Sequence, residues 1–290
     1  MNRYSESELI FNPDGSIFHL HLFPEQICDH IVLVGDPGRA VQFGECLDRV
    51  ERLATNREFI SLSGYYHGTK IMVMSTGIGT DNIDIVLNEL DALANINLDL
   101  RTDHPSLRKL RFIRIGTSGS LQPDLPIGTP VASAWSVGLD GLMKYYLRKP
   151  DQERELFERT FLDAVQWPVQ LPQPYAVRAS DELLKMVESF CTLGITMAAH
   201  GFYGPQGRQL RAPLAVPDLN AHLQSFRYGD LRTTNFEMES SALYGLAEVL
   251  QHEAITVCLI IANRMKGEFL GDYSSTINQL FCQTLNSIIT

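Results

Sequence analysis

The chain has 290 residues, a formal net charge of −10, 44% hydrophobic residues and 20% charged residues. These values are typical of a globular protein that buries a sizeable core, and so acidic a chain lacks the basic surface that general nucleic-acid binding requires. The first segment is polar and no apolar run approaches the ~18–20 residues of a membrane span, which predicts a cytoplasmic protein without a membrane partner.

Short apolar strands alternate with helical patterns in the first half of the chain. "HIVLVGDPGRA" predicts a strand to Val34, a turn over Gly35–Gly38 and a helix over Val41–Leu47. "KIMVMSTGIGT" predicts a second strand, to Met74, followed by a glycine loop. The helix predicted next, in "DNIDIVLNELDALANI", has apolar residues at helical spacing.

The same alternation continues in the second half. "LRFIRIGTSGS" predicts a strand and a glycine loop, and "PVASAWSVGLDG" predicts another strand. "NFEMESSALYGLAEVLQH" predicts a helix from its start, "AITVCLIIANR" an apolar strand and "TINQLFCQTLNSII" a closing helix. We therefore expect a single domain over residues 1–290 with an α/β fold, in three layers (α/β/α) around a central mixed, largely parallel sheet. Ligands of such folds bind at the carboxyl ends of the strands.

Neither the cysteines nor the two histidines of "IFHLHLF" show the spacing of metal ligands. No two cysteines form a CxxC pair and several lie beside apolar residues, which predicts reduced thiols without disulfides or zinc. In "IFHLHLF" the residues alternate, so His19 and His21 share one face of a strand-like segment. The cysteines are Cys28, Cys46, Cys191, Cys258 and Cys282.

Arg114 needs a partner that the neighbouring sequence does not supply. It lies between Ile113 and Ile115 in "FIRIGTSGS", with no acidic residue within several positions. A guanidinium keeps its proton, and burying it unpaired is costly. Either a distant carboxylate pairs with Arg114 or a ligand does. The hydroxyls and backbone amides of "GTSGS" suit phosphate oxygens, which favours an anion site.

Two further segments have both a structural and a ligand-binding interpretation. "GDPGR" is either a β-turn or an anion loop that ends in Arg39. In "NFEMES", Glu237 and Glu239 are either acids of a first helical turn, with Thr234 and Glu237 as a capping box, or acceptors for sugar hydroxyls.

The segment "GFYGPQGRQL" is either a solvent-exposed loop or a base-binding loop. In the second interpretation Phe202 stacks on a base while Gln206 and Arg208 bind the base edge. The glycines of "STGIG" form only an incomplete dinucleotide fingerprint, which disfavours a dinucleotide-dependent oxidoreductase.

Seven segments together resemble the nucleoside phosphorylase family, which includes uridine phosphorylases. In family order they are "VGDPGRA", "NREF", "STGIG", "IRIGTSGS", "GFYGPQGR", "NFEMES" and "IIANR", and the resemblance extends from about residue 18 to residue 265. "FY-x-x-Q-x-R" resembles the uridine-cleaving members rather than the purine-cleaving ones. The resemblance implies a pentosyltransferase that converts uridine and phosphate reversibly to uracil and ribose 1-phosphate, with phosphate as co-substrate and no cofactor.

The resemblance also implies a role for each matching residue. The implied phosphate site comprises Gly35, Arg39, Arg57, Arg114 and Thr117, with Arg57 lent across a dimer interface. The implied ribose site comprises His19 from the neighbouring subunit, Glu237, Met238 and Glu239. The implied base site comprises Phe202, Gln206 and Arg208, with Arg264 nearby. Arg114, Glu239 and Arg208 are the expected catalytic residues.

The chain departs from the family's bacterial members at three places. Gly138 replaces an arginine before "LDG", and the connector over residues 95–111 is longer. Asn82 replaces a serine in a monovalent-cation site that would also use Glu58 and Ile78, so we predict no metal.

The expected active unit is a homodimer, and hexamers are common among the family's bacterial members. A purine phosphorylase of the same fold is the nearest alternative, although "ANRMKG" offers no aspartate to protonate a purine. A nucleosidase that uses water, or a non-catalytic nucleoside-binding protein, would not need all the phosphate-binding arginines, which disfavours both alternatives.

Overall fold

The structure, a computed structural model, describes residues 3–289. Its helices are α1 (Pro37–Gly44), α2 (Thr80–Asn95), α3 (Gln152–Val165), α4 (Asp181–Val187), α5 (Leu219–Ser225), α6 (Ser240–Leu250) and α7 (Ser274–Ile289). Its strands are β1 (His30–Val34), β2 (Asp48–Asn56), β3 (Phe59–Tyr66), β4 (Thr69–Ser75), β5 (Ile96–Asn97), β6 (Thr102–Asp103), β7 (Arg111–Ser120), β8 (Pro130–Gly138), β9 (Tyr175–Arg178), β10 (Thr192–Ala198), β11 (Arg227–Tyr228), β12 (Leu231–Glu237), β13 (Glu253–Asn263) and β14 (Glu268–Phe269).

A mixed sheet occupies the centre of the fold. Its strand order is β11-β12-β10-β8-β13-β7-β1-β4-β3-β2, and β1 is parallel to both of its neighbours. The end of β12 also pairs antiparallel with the end of β7, at Phe236 and Gly119. Strands β7, β13, β8, β10 and β12 therefore close into a ring, which brings the carboxyl ends of β7 and β12 together.

The centre of this sheet is covered on both faces. Residues 31–34 of β1 are all fully buried, and successive side chains of a strand point to opposite faces. Helix α2 buries the apolar residues at helical spacing, led by Ile83, Val86 and Leu90. The mixed α/β fold expected from the sequence is confirmed.

Two predicted element boundaries were wrong near the ends of strands. Helix α1 begins at Pro37 rather than Val41, because proline fits the first helical position and the Asp36 carboxylate caps it by accepting from the Gly38 N–H at 2.8 Å. "GTSGS" is not a loop but the second half of β7, paired with β13 as far as Ser120.

Two further sequence interpretations were also wrong. "NFE" ends strand β12, so Thr234 lies inside a strand and cannot cap a helix. "IFHLHLF" forms a turn rather than a strand: the His21 N–H donates to the Ile17 carbonyl at 3.1 Å, and His21 has a φ of 53°.

The five cysteines form no disulfide within the described residues. Between residues 3 and 289, no helix combines the length and the apolar character needed to cross a membrane.

Candidate active site

A cavity of about 410 Å³ lies at the carboxyl ends of β1, β7 and β12. It is lined by all the predicted site residues except His19 and Arg57: Gly35, Arg39, Arg114, Thr117, Phe202, Gln206, Arg208, Glu237, Met238 and Glu239. The ring closure between β12 and β7 explains how segments far apart in sequence meet at this cavity.

Arg114 forms ion pairs with two acidic residues of the same cavity. Its Nη2 donates to Glu239 Oε2, and its Nη1 lies 3.3 Å from Glu237 Oε2. Nη1 also contacts the Cys258 Sγ at 3.6 Å, whereas the buried Nε has no hydrogen-bond partner. Burial alone would lower the pKa of Arg114, but Glu239 and Glu237 outweigh it and raise that pKa, so the guanidinium stays charged. The sequence left open whether a distant carboxylate or a ligand pairs with Arg114. Distant carboxylates do pair with it, and they belong to the candidate site.

Glu237 is held by the start of helix α6. Its carboxylate accepts hydrogen bonds from the backbone N–H groups of Glu239 at 2.9 Å and of Ser240 at 2.9 Å. Burial raises the pKa of Glu237, and the Arg114 charge opposes this rise. With its side chain 1% exposed and its oxygens engaged by backbone, Glu237 fixes the start of α6 and the position of Arg114.

Glu239 connects Arg114 to the glycine loop after β4. Its Oε1 accepts from the Gly79 N–H at 2.8 Å, while its Oε2 faces Arg114. Gly79 has a φ of 102°, a conformation that favours glycine, and it immediately precedes α2. Glu239 thus links the strand that carries Arg114 to the loop that precedes α2.

The first end of the cavity carries groups suited to an anion. Gly35 and the half-buried Arg39 come from the turn and first turn of helix α1 after β1. Thr117 adds a hydroxyl from β7, on the same strand as Arg114. Two arginines, a hydroxyl and a helix start are the donors that phosphate oxygens accept well.

The other end of the cavity is formed by the 202–208 loop. Arg208 Nη1 donates to the Phe202 carbonyl at 2.7 Å and to Gln206 Oε1, and its guanidinium carbon lies 3.8 Å from the Phe202 ring centroid. Arg264 reaches the same loop, because its Nη1 donates to the Gln206 carbonyl.

Two arginines are close neighbours here. A Cβ built at Gly119 would lie 3.6 Å from both Arg208 Nη2 and Arg264 Cδ. Burial lowers the pKa of Arg208, and burial together with Arg208 lowers the pKa of Arg264 to about 10, so both remain charged at neutral pH. An anionic group bound beside them would relieve their mutual repulsion.

His19 and Arg57 lie outside this cavity. His19 Nδ1 lies 2.6 Å from Glu89 Oε1, and the same carboxylate accepts from the His19 backbone N–H. Arg57 is exposed in the turn between β2 and β3, with a φ of 50°. The single chain does not bring these two residues to the predicted site.

Sequence reasoning missed the mainly apolar part of the wall. Phe236, Ile261, Ala262 and Phe269 line the cavity, with Phe269 68% exposed. Asp36, Ile78, Ser118 and Gly119 complete the wall. Apolar side chains carry no chemical signature in a sequence. Ile261 and Ala262, however, end a strand next to "NR", and this position at a strand end could have indicated that they line the cavity. Within residues 3–289 no cluster of three histidine, cysteine or acidic side chains has the arrangement of a metal site.

Comparison with known proteins gives consistent matches over nearly the whole chain. The family model described as "Phosphorylase superfamily" matches residues 29–288. The uridine phosphorylase of Thermococcus kodakarensis is 30% identical over 278 residues, 93% of this chain and 85% of that protein. The uridine phosphorylase of Haemophilus influenzae is 28% identical over 284 residues, 95% of this chain and 97% of that protein.

A solved structure shares the fold. The nucleoside phosphorylase of Trypanosoma brucei, described as showing uridine phosphorylase activity, matches with a TM-score of 0.88. The match covers 97% of this chain and 99% of the other, at 24% identity, so the likeness concerns the fold alone.

Proposed function

Because this chain belongs to the phosphorylase superfamily, we propose that it is a uridine phosphorylase, a pentosyltransferase that converts uridine and phosphate reversibly to uracil and ribose 1-phosphate. The observation that carries the proposal is that one cavity is lined by two arginines and a hydroxyl suited to an anion, by a glutamate paired with one of those arginines, and by a loop with an aromatic ring, an amide and an arginine.

Phosphate binds at the anion end, to Arg39, Arg114 and Thr117. As the glycosidic bond breaks, positive charge develops on the ribose, and the phosphate stabilises this charge before it attacks the anomeric carbon. The local arginines concentrate phosphate despite the acidity of the whole chain. Inorganic phosphate is a co-substrate, and the reaction requires no organic cofactor.

Uracil binds at the other end, where the side chains of Gln206 and Arg208 bind its edge and Phe202 packs beside it. It leaves with negative charge, which Arg208 and the neighbouring Arg264 stabilise without reorganising. A preorganised donor of this kind contributes about 3–4 kcal/mol to the transition state. The position of Arg264 beside Arg208 supports this role.

The ribose lies between the two ends, against Met238. Glu239 accepts the 2′ and 3′ hydroxyls and is a catalytic residue. Glu237 acts as a positioning residue, because its oxygens already accept backbone N–H groups of α6.

The active unit is proposed to be a homodimer, with the hexamer as its larger assembly. Arg57 is exposed, and His19, which pairs with Glu89 through Nδ1, lies outside the cavity, so we infer that each serves a neighbouring subunit's site rather than its own. Light scattering combined with activity measurements tests this. A fully active monomer at high dilution would contradict it.

Further features of the fold, the location and the partners accompany this proposal. We infer one domain and a three-layer α/β/α arrangement, supported by a sheet whose strands span His30–Phe269 and whose centre is covered on both faces. We also place the enzyme in the cytoplasm, in pyrimidine salvage or catabolism, with small molecules rather than nucleic acids or membranes as its partners.

Uracil release from uridine, followed with and without phosphate, tests the function. We expect release only with phosphate. Release without phosphate would indicate a nucleosidase, and turnover of inosine but not uridine would indicate a purine phosphorylase. Tight uridine binding without product would indicate a nucleoside-binding protein.

A further inference from the structure

Arg114 and Glu239 are partners of each other, and each is also the proposed partner of a different substrate. Nη2 of Arg114 donates to Oε2 of Glu239. Their side chains are only 5% and 4% exposed, so water screens this ion pair little. Whatever binds one of the two residues therefore changes the charge that the other presents.

The other contacts of the pair differ in how firmly they are fixed. Glu237 stays 3.3 Å from Nη1 of Arg114 and is anchored by the backbone of α6. Glu239 is anchored at Oε1 by the Gly79 N–H, which leaves Oε2 as the oxygen that Arg114 occupies. The buried Nε of Arg114 has no partner. The Arg114–Glu239 contact is thus the one that can be exchanged while both side chains remain anchored.

We propose that phosphate and the ribose diol bind with positive coupling, because they exchange places with this internal ion pair. Phosphate takes the guanidinium of Arg114 from Glu239, whose oxygens then accept the 2′ and 3′ hydroxyls with full negative charge. Conversely, hydroxyls that bind Glu239 leave Arg114 less neutralised and more attractive to phosphate. This inference rests on the proposed function and adds to it a linkage between the two substrates.

The direction of the coupling follows from charge. A hydrogen bond to a carboxylate is stronger when no cation shares that carboxylate, and an arginine attracts an anion more when no carboxylate neutralises it. Coupling between two sites is reciprocal and commonly changes affinity 5- to 150-fold, so we expect an effect of about tenfold.

The test is calorimetric titration of the whole protein with uridine, in the absence and presence of saturating sulfate. Sulfate has the tetrahedral oxygens of phosphate and is not consumed. We expect sulfate to lower the Kd of uridine about tenfold. It should leave the Kd of 2′,3′-dideoxyuridine nearly unchanged, because that nucleoside lacks both hydroxyls.

Two variants separate the ion pair from a general effect of structure. Glu239→Gln keeps the size of the side chain and removes its charge, so we expect it to bind sulfate more tightly and to abolish the coupling. Glu253→Gln neutralises a buried glutamate at the opposite end of the sheet and should retain the coupling. Thermal unfolding shows that each variant is folded, and the comparison of the two nucleosides needs only the wild-type protein.

The outcomes distinguish this inference from the proposed function. Phosphorolysis of uridine together with equal effects of sulfate on both nucleosides would overturn the coupling alone. Absence of uridine binding under every condition would overturn the proposed function and the coupling with it.

Discussion

Replacing Arg114 by methionine should destabilise the fold as well as remove the proposed phosphate ligand. Methionine fills much of the same space without charge, and it leaves Glu237 and Glu239 buried, at 1% and 4% side-chain exposure, without their cation. Removing one partner of a buried ion pair costs about 3–5 kcal/mol. Glu237 keeps its hydrogen bonds to α6, so most of this cost falls on Glu239.

The expected loss is large enough to measure by thermal unfolding. At the usual unfolding entropy per residue, a chain of 290 residues loses about 5–8 °C of Tm for that change in free energy. Arg111→Met is the matched control on the same strand, since Arg111 pairs with Glu253 and Glu182 but is 30% exposed. Glu253 keeps Lys109 as its cation in this variant and Glu182 is exposed, so the loss should be near that of a surface pair, about 1 kcal/mol, which is less than about 2 °C of Tm.

A double variant tests whether the loss of Tm arises because Glu239 is left buried without its cation. Arg114→Met combined with Glu239→Gln should regain part of the lost Tm, because no charge is then left at position 239. Equal losses in the Arg114 and Arg111 variants, or no recovery in the double variant, would refute the view that Glu239 neutralises Arg114.

Three further predictions concern the base end, the guanidinium and pH. Arg208→Ala should lower kcat/KM for uridine by about 10²–10³ with an unchanged KM for phosphate, and an equal change in both would contradict its place at the base. Gly116→Ala should weaken phosphate binding in steady-state kinetics, because its Cβ would clash with Nη1 of Arg114; unchanged phosphate KM would contradict that clash. Burial alone would raise the pKa of Glu253, but hydrogen bonds from two cations lower it below 4.5, so its stabilising effect is present above pH 4.5 and is lost as the pH falls through that lowered pKa. Urea unfolding should therefore show a gap between wild type and Glu253→Gln that shrinks below pH 4.5, and a constant gap would contradict this assignment.

The sequence predicted the central strands because the signals for them are local. The apolar run to Val34 and the helical spacing in α2 lie within single short segments, and the structure has both elements. The predicted start of α6 failed for a reason that is not local. "NFE" ends in an acid, Glu237, of the kind typical of a first helical turn, but pairing of β12 with β7 and β10 keeps this segment in the sheet.

The ring closure also explains which part of the candidate site could be foreseen. The apolar neighbours of Arg114 indicated that it needs a partner, and "NFEMES" contained acids that could either cap a helix or bind sugar hydroxyls. The family resemblance placed both in one site, but no local signal indicated that they form an ion pair, because Glu239 lies 125 residues further along the chain. Only the antiparallel contact at Phe236 and Gly119 brings them within reach.

The two explanations for Arg114 that the sequence left open are compatible for a physical reason. A guanidinium that binds phosphate during only part of a reaction cycle must be neutralised during the rest of it, because its burial is otherwise too costly. Glu237 and Glu239 provide that charge at the wall of the same cavity. An internal carboxylate beside a buried arginine is therefore no argument against an anion site. Whether such an ion pair can serve as an anion site depends on whether it lines a cavity, as it does here, or is enclosed by the core.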